Sequence, residues 1–300
     1  MRSSEAGLFL AVALVSAALV GLVRALAVSH GMIQHPTHRG SHDIPTPRGG
    51  GLGVVIAIVG AFMILQTASS DPFVLACVAA GVAVAVVGWL DDRGGLSVRA
   101  RLIVHVLAGI TVGALAVRDT SPAIVTVALF GWWAFWTVSS INLVNFMDGI
   151  NGLVASQVAI FGASLMLFSW QDATSSWYAA AIAAGCVGFL PWNFPRARIF
   201  LGDVGSGALG FLVPFIAILV MLETGIDVVS AHLPLLPLFG DATVTIVRRW
   251  RLGEKLTTPH RSHLYQRLAN GGFGHTRVTL LYACASVGGA IVAHRGGRSL

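Results

Sequence analysis

The stretch NLVNFMDGINGL, residues 142–153, places Asn142, Asn145, Asp148 and Asn151 at steps of three between flanks that are nearly pure hydrocarbon. Side chains at that step occupy neighbouring parts of a helix surface, and Asn145, Asp148 and Asn151 would span about a third of its circumference. Asp148-Gly149 and Asn151-Gly152 are also breaker pairs, so the segment reads equally as a helix that ends or loosens there. Amide and carboxylate oxygens suit a hard cation or a polar substrate. The competing reading is a polar seam between packed helices.

Four further polar blocks share this character. HPTHRGSHDIPTPRGGGLG, 35–53, carries Arg39, His42 and Arg48 in a loop punctuated by Pro and Gly just before a helix start, where free N–H groups favour phosphate. GWLDDRGGLSVRARL, 88–102, closes an apolar segment with the adjacent acids Asp91 and Asp92. Adjacent carboxylates repel and are costly near hydrocarbon, so a metal or a proton-transfer role would explain the pair, as would ion pairing with Arg93, Arg99 or Arg101. PWNFPRARIFLGDVGSGALGF, 191–211, sets Asp203 between glycines at a helix start. There its carboxylate could hold Mg²⁺ while Gly205, Ser206 and Gly207 offer N–H groups, or it could serve as an N-cap. TTPHRSHLYQRL, 257–268, groups His260, Arg261 and His263 into a cationic hydrogen-bonding set suited to a diphosphate. His260 and His263 could also be a zinc pair, but no Cys lies near them. Asp241 either lines the same cavity or pairs with an arginine of its own helix. His105 reads as a packing histidine, and Trp132, Trp133 and Trp136 as interfacial or packing aromatics.

Elements long enough to hold these blocks at a membrane surface dominate the rest of the chain. Of its 300 residues 55% are hydrophobic and 11% charged, with mean hydropathy +0.79, too few polar groups to cover a soluble domain. Ten apolar segments, near 7–28, 49–68, 73–90, 101–118, 122–140, 152–170, 176–192, 205–222, 230–248 and 277–293, predict an all-α integral membrane protein of about ten spans in a single multi-pass domain over 1–300. The first segment resembles a signal peptide at RALA, but its apolar run is long for one and the charge pattern needs it as a span. Cys77, Cys186 and Cys284 all sit in apolar runs and form no metal motif. Loops after the odd-numbered segments carry 14 of the 19 Lys and Arg residues, whereas the opposite loops carry only Arg118 beside five acids. The net charge of +6 therefore reports topology and not nucleic-acid binding, and the odd loops are expected in the cytoplasm. All five polar blocks then face one side as a cytoplasmic cleft. Acids, amides and cations gathered at one membrane face suit phosphoryl transfer from a water-soluble donor to a lipid acceptor.

Taken in order, PTPRGGG, GWLDD, NFMDGINGL, IFLGDVGSG and PHRSHLYQRL resemble the blocks of the polyprenyl-phosphate N-acetylhexosamine-1-phosphate transferases, over essentially the whole chain. The resemblance implies a ten-span bacterial inner-membrane enzyme with a cytoplasmic active site. Such an enzyme moves a sugar-1-phosphate from a UDP-N-acetylhexosamine to undecaprenyl phosphate and releases UMP, to start a cell-envelope glycan or O-antigen. It implies Mg²⁺, with Mn²⁺ as the alternative cation, and is compatible with a homodimer. Residue by residue, Asp91 resembles the acid that engages the lipid phosphate, with Asp92 beside it, and Asp203 the Mg²⁺ ligand. Asn145 and Asp148 resemble nucleotide or diphosphate contacts, Asp148 close to the metal, and Arg101 a phosphate-binding cation. Thr46 and Arg48 match the first loop, and His260, Arg261 and His263 the histidine block. Two departures separate the chain from the peptidoglycan translocase, which has an acid where Asn151 stands and adjacent histidines where this chain has HRSH. RGSH before PTPRGGG, with HRSHLYQR, looks closer to the branch that starts O-antigen-like chains. The rival from another class is a membrane transporter, whose polar groups belong near mid-membrane; no internal repeat supports it. A CDP-alcohol phosphotransferase would need a DGxxAR motif that INGLVASQ does not continue.

Overall fold

The structure, a computed structural model, describes residues 3–36, 44–120, 123–169, 173–255 and 260–296. The chain forms twelve α-helices among these residues. They are α1 (Ser3–Ser29), α2 (Gly51–Ser69), α3 (Pro72–Gly94), α4 (Val98–Ala116), α5 (Ala123–Met147), α6 (Leu153–Phe168), α7 (Ser175–Asn193), α8 (Gly202–Thr224), α9 (Val228–His232), α10 (Leu236–Arg251), α11 (Leu264–Leu268) and α12 (Gly274–Gly296). Two two-residue strands, β1 (Ile33–Gln34) and β2 (Thr46–Pro47), pair antiparallel ahead of α2. Eight helical stretches are long and apolar enough to cross a membrane, so the fold is that of an all-α integral membrane protein. Each of the ten apolar segments lies on a helix, but α6 is only 16 residues long, and α7, with Pro191 inside it, is not among the eight.

α8 is the axis of the molecule. It is apolar around its whole circumference and 94% of its membrane-length window is buried, the pattern of a helix enclosed on every side. Helices α2, α3, α5, α6 and α7 surround it. Lipid tails give no hydrophobic drive for helices to associate, so close backbone approach through small residues must supply the packing. A Cβ on Gly51 would lie 2.2 Å from Gly205 Cα, so α2 and α8 touch backbone to backbone. Ser140 of α5 donates to Gly210 O at 2.7 Å, and Ser16 of α1 donates to Gly185 O of α7 at 2.7 Å.

Helix ends are set by local chemistry. Asp71 starts α3 by accepting from Phe73 N at 2.8 Å, and Ser97 starts α4 by accepting from Ala100 N at 3.2 Å. Three boundaries differ from the sequence expectation. The apolar run predicts an end near 90 for the third segment, yet α3 continues to Gly94 and carries the acid pair on its last turns. The fifth continues from 140 to Met147, which puts Asn142 and Asn145 on helix and leaves Asp148 and Asn151 in the turn beyond it, so the four do not share one helical face. The ninth is broken by a 3₁₀ turn, Leu233–Leu235, which contains Pro234 and is followed by Pro237 at the start of α10, because proline removes a helical donor and clashes with the preceding turn. The tryptophans pack: Trp136 lies edge-on to Phe239 at 5.1 Å, stacks with Trp132 and donates to His232 Nε2 at 3.1 Å. Arg118, alone on its side in the sequence, is neutralised by Asp71 at 2.6 Å and Asp119 at 3.2 Å.

Candidate active site

The polar blocks converge at one end of the helices. The C-terminal ends of α3 and α5 meet there with the N-terminal ends of α2, α4 and α8. The PTPRGGG and IFLGD blocks are stitched through the backbone: Phe200 N donates to Pro47 O, Gly50 N to Phe200 O and Gly51 N to Leu201 O, each at 2.8 Å. Thr46, buried in β2, donates to Ile44 O at 3.0 Å, which makes it a support of this loop. Arg39 and His42 lie outside the described residues.

Asp92, buried in α3, accepts from the N–H groups of Asp203 and Val204 at 3.1 Å each. It therefore caps α8 from another helix, where the helix dipole favours a negative charge. Gly202 is required at this contact: its φ is +77° and a Cβ there would lie 2.5 Å from Asp92 Oδ2. Two expectations change as a result. Asp203 is not the N-cap but the second residue of α8, and its partly exposed carboxylate lies beside Arg101 at the edge of open space. Gly205, Ser206 and Gly207 are buried inside the helix and present no open anion site; Ser206 donates to Asn145 Oδ1 at 2.7 Å.

Charge is distributed through two arginines. Arg101 Nη1 lies 2.5 Å from Asp91 and 3.6 Å from Asp203, and Arg48 lies 3.8 Å from Asp92. Asp91 also accepts from Leu96 N at 2.5 Å. Pairing of the acids with Arg101 is therefore present, while Arg93 turns away over the Trp89 ring at 4.6 Å. Beyond α5, burial first and then the nearby charge of Asp92 push Asp148 up to about 7. Asn142 donates to Val138 O of its own helix at 2.7 Å. Asn151 donates to Pro195 O at 3.0 Å, and its own carbonyl accepts from Thr279 of α12 at 2.7 Å, tying three segments together.

Asp203 borders two cavities. The larger, about 290 Å³, is polar and includes Arg48, Asp92, Asp148, Asn151, Asn193 and Gln266 in its lining. The smaller, about 90 Å³, joins Arg101, His105, Asn142 and Asn145 to apolar groups including Val98, Leu102 and Phe146. The sequence reading had not selected Asn193 or Gln266. Asn193 holds Gly152 N at 2.6 Å, and the only signal for either residue was a lone amide inside a polar block already singled out.

The histidine block is used differently from the sequence expectation. Asp241 accepts from Leu264 N (2.7 Å), Tyr265 N (3.0 Å) and the Tyr282 hydroxyl (2.8 Å), so it caps α11 as Asp92 caps α8, and it makes no pair with an arginine of its own helix. Tyr265 then donates to Phe146 O at 3.1 Å, against Gly149, whose added Cβ would lie 2.2 Å from that hydroxyl. His263 is buried; burial first, together with His260 and Arg249 and against Asp241, lowers it to about 4, so it is neutral and not part of a cationic set at neutral pH. Neither it, His260 nor exposed Arg261 lines either cavity, and Gln266 is what this block contributes to the polar one.

No set of three His, Cys, Asp or Glu side chains that could hold a metal ion occurs among the described residues. Magnesium does not require one: it takes one or two carboxylates and fills its other positions with water and substrate phosphate. Asp148 and Asp203 on the polar cavity fit that share.

Residues 74–221 match the family described as glycosyl transferase family 4. The chain is 30% identical to a decaprenyl-phosphate N-acetylglucosaminephosphotransferase of Mycobacterium tuberculosis, over 91% of this chain and 77% of that one. It is 31% identical to an undecaprenyl-phosphate alpha-N-acetylglucosaminyl 1-phosphate transferase of Yersinia pestis, over 91% and 79%. A phospho-N-acetylmuramoyl-pentapeptide-transferase of Synechococcus is 34% identical over 58% of this chain and 56% of that one.

Proposed function

We infer the activity from one premise: the chain belongs to glycosyl transferase family 4, among the polyprenyl-phosphate N-acetylhexosamine-1-phosphate transferases. It transfers a sugar-1-phosphate to a polyprenyl phosphate, and the transporter reading is set aside. The finer reading proposed here is that the donor is a UDP-N-acetylhexosamine, the acceptor undecaprenyl phosphate and the leaving group UMP. It further places the chemistry at the cytoplasmic face of the bacterial inner membrane, where a nucleotide sugar is available. The positive charge of the odd-numbered loops supports that side.

The observation that carries the mechanism is the position of Asp203, on the wall shared by a polar and a part-apolar cavity. The donor is assigned to the polar cavity and the acceptor phosphate to the other. An acceptor oxygen attacks the donor phosphorus that bears the sugar, the bond from that phosphorus to the bridging oxygen breaks, and UMP leaves with that oxygen. Asp91, at the first contact of Arg101, takes any proton remaining on the acceptor phosphate, and Arg101 holds that phosphate by charge. Arg48, which lines the polar cavity, neutralises donor phosphate. Mg²⁺ held by Asp203 and Asp148 would neutralise charge on the transferring phosphoryl group. Direct attack is favoured because a positioned phosphate is already a nucleophile.

Donor labelled at the sugar-bearing phosphate tests this. With undecaprenyl phosphate and Mg²⁺, label is expected in the lipid product and absent from UMP. Label released as UDP or inorganic phosphate would contradict the reaction.

A further inference from the structure

Resting on the reading above, we propose that His105 is an acceptor-binding residue, donating a hydrogen bond from its imidazole to the polyprenyl phosphate in the smaller cavity. His105 lies outside every polar block of the sequence. On α4 it stands one turn beyond Arg101, on the same face, and both line that cavity with Asn142, Asn145 and Asp203. Its Nδ1 is shielded from solvent and has no hydrogen-bond partner among the described residues, unlike His232, whose two ring nitrogens meet Val228 O and Trp136. A packing histidine inside a membrane helix is expected to satisfy its nitrogens within the protein, so an unmet nitrogen on a side chain that lines a cavity points to a ligand.

The chemistry of the cavity selects the ligand. Arg101 is the one cation lining this cavity among the described residues; it is shared with Asp91 at 2.5 Å and Asp203 at 3.6 Å, and an anionic group reaching it beside the imidazole takes over part of that pairing. Val98, Leu102 and Phe146 line the same cavity and are 61%, 46% and 45% exposed on helices that face lipid, so its rim opens to hydrocarbon. A ligand satisfying both halves has an anionic head and an apolar tail and arrives from the bilayer. Among the described residues, the large apolar side chains of the polar cavity beyond Asp203, Ile150, Phe200 and Leu201, are buried and form no such rim. Arg101 and His105, one turn apart on one helix face, can both donate to one phosphate in this cavity.

Direct binding of polyprenyl phosphate and of UDP to detergent-purified protein tests this, with His105→Phe, which keeps a ring and loses both nitrogens, and His105→Asn, which returns a polar group near Nδ1. Phe is expected to weaken lipid-phosphate binding about tenfold or more, to leave UDP binding within twofold and to keep the melting temperature; Asn is expected to recover most of the lost affinity. Unchanged lipid binding in the Phe variant, or equal loss of lipid and UDP binding, would overturn the assignment. Competition by phosphatidic acid as strong as by polyprenyl phosphate would assign the cavity to bilayer lipid and overturn it too. Wild-type protein that binds UDP but no polyprenyl phosphate would sink the subsite alone, whereas protein that binds neither would sink the functional reading with it.

Discussion

At the scale of single residues, the four aspartates of the site divide their work by what holds them. Asp92 has both oxygens committed to the start of α8, so its role is to place Asp203. Asp92→Ala should lower stability by about 1–2 kcal/mol, the usual cost of a lost cap, and lower activity with it, whereas Asp203→Asn should remove activity at near-native melting temperature. Asp148 makes a prediction through pH. Its value of about 7 lies above the ordinary 3.8, so between those pH values the folded protein keeps a proton that the unfolded chain has lost. Raising pH through that window therefore lowers stability, and the loss is complete above 7. In metal-free protein, melting temperature should fall from pH 5 to pH 7.5, and Asp148→Asn should flatten the slope; an equal slope in the variant would contradict this. The sequence made the acids legible because a carboxylate beside hydrocarbon needs a reason. It could not reveal that Asp92 is a cap while Asp203 borders the cavities, since that division depends on a contact between residues 111 positions apart.

Elements carry the site by meeting end to end. The helix starts α8 and α11 are each capped by an aspartate from another element, a device with no local signature, so neither sequence alternative for Asp241, cavity lining or an arginine pair, includes its role as a cap. The short helix α11 was also missed: five residues show too little periodicity to detect. The neighbouring histidines looked cationic because their burial is a tertiary property. By contrast the long apolar helices were plain, and their errors were confined to the ends, where α3 and α5 run on into polar residues. Close packing of these elements can be tested directly. Gly51→Ala forces a Cβ into the backbone of Gly205 and should cost about 1–3 kcal/mol or more, read as reduced folded yield and melting temperature. Gly60→Ala, with open space around it on the same helix, should be neutral and serves as the control.

For the whole molecule, composition decided the class and charge asymmetry decided the expected orientation. Site groups collect at one end of the helix bundle and not at its middle, as an enzyme joining an aqueous donor to a lipid acceptor requires. Orientation is tested by single cysteines in a Cys284→Ser background. Cysteine at Lys255 should be blocked by a membrane-impermeant maleimide only after cells are opened, and cysteine at Asp119 in intact cells; the reverse pattern would place the site outside. The central claim is that Asp203 stands between donor and acceptor, and it meets its most direct test in UMP release from a UDP-N-acetylhexosamine panel with and without undecaprenyl phosphate. Wild-type protein should release UMP from at least one donor only when lipid is present, and Asp203→Asn should release none while still binding UDP. UMP release that ignores the lipid, or that survives in Asp203→Asn, would contradict the account.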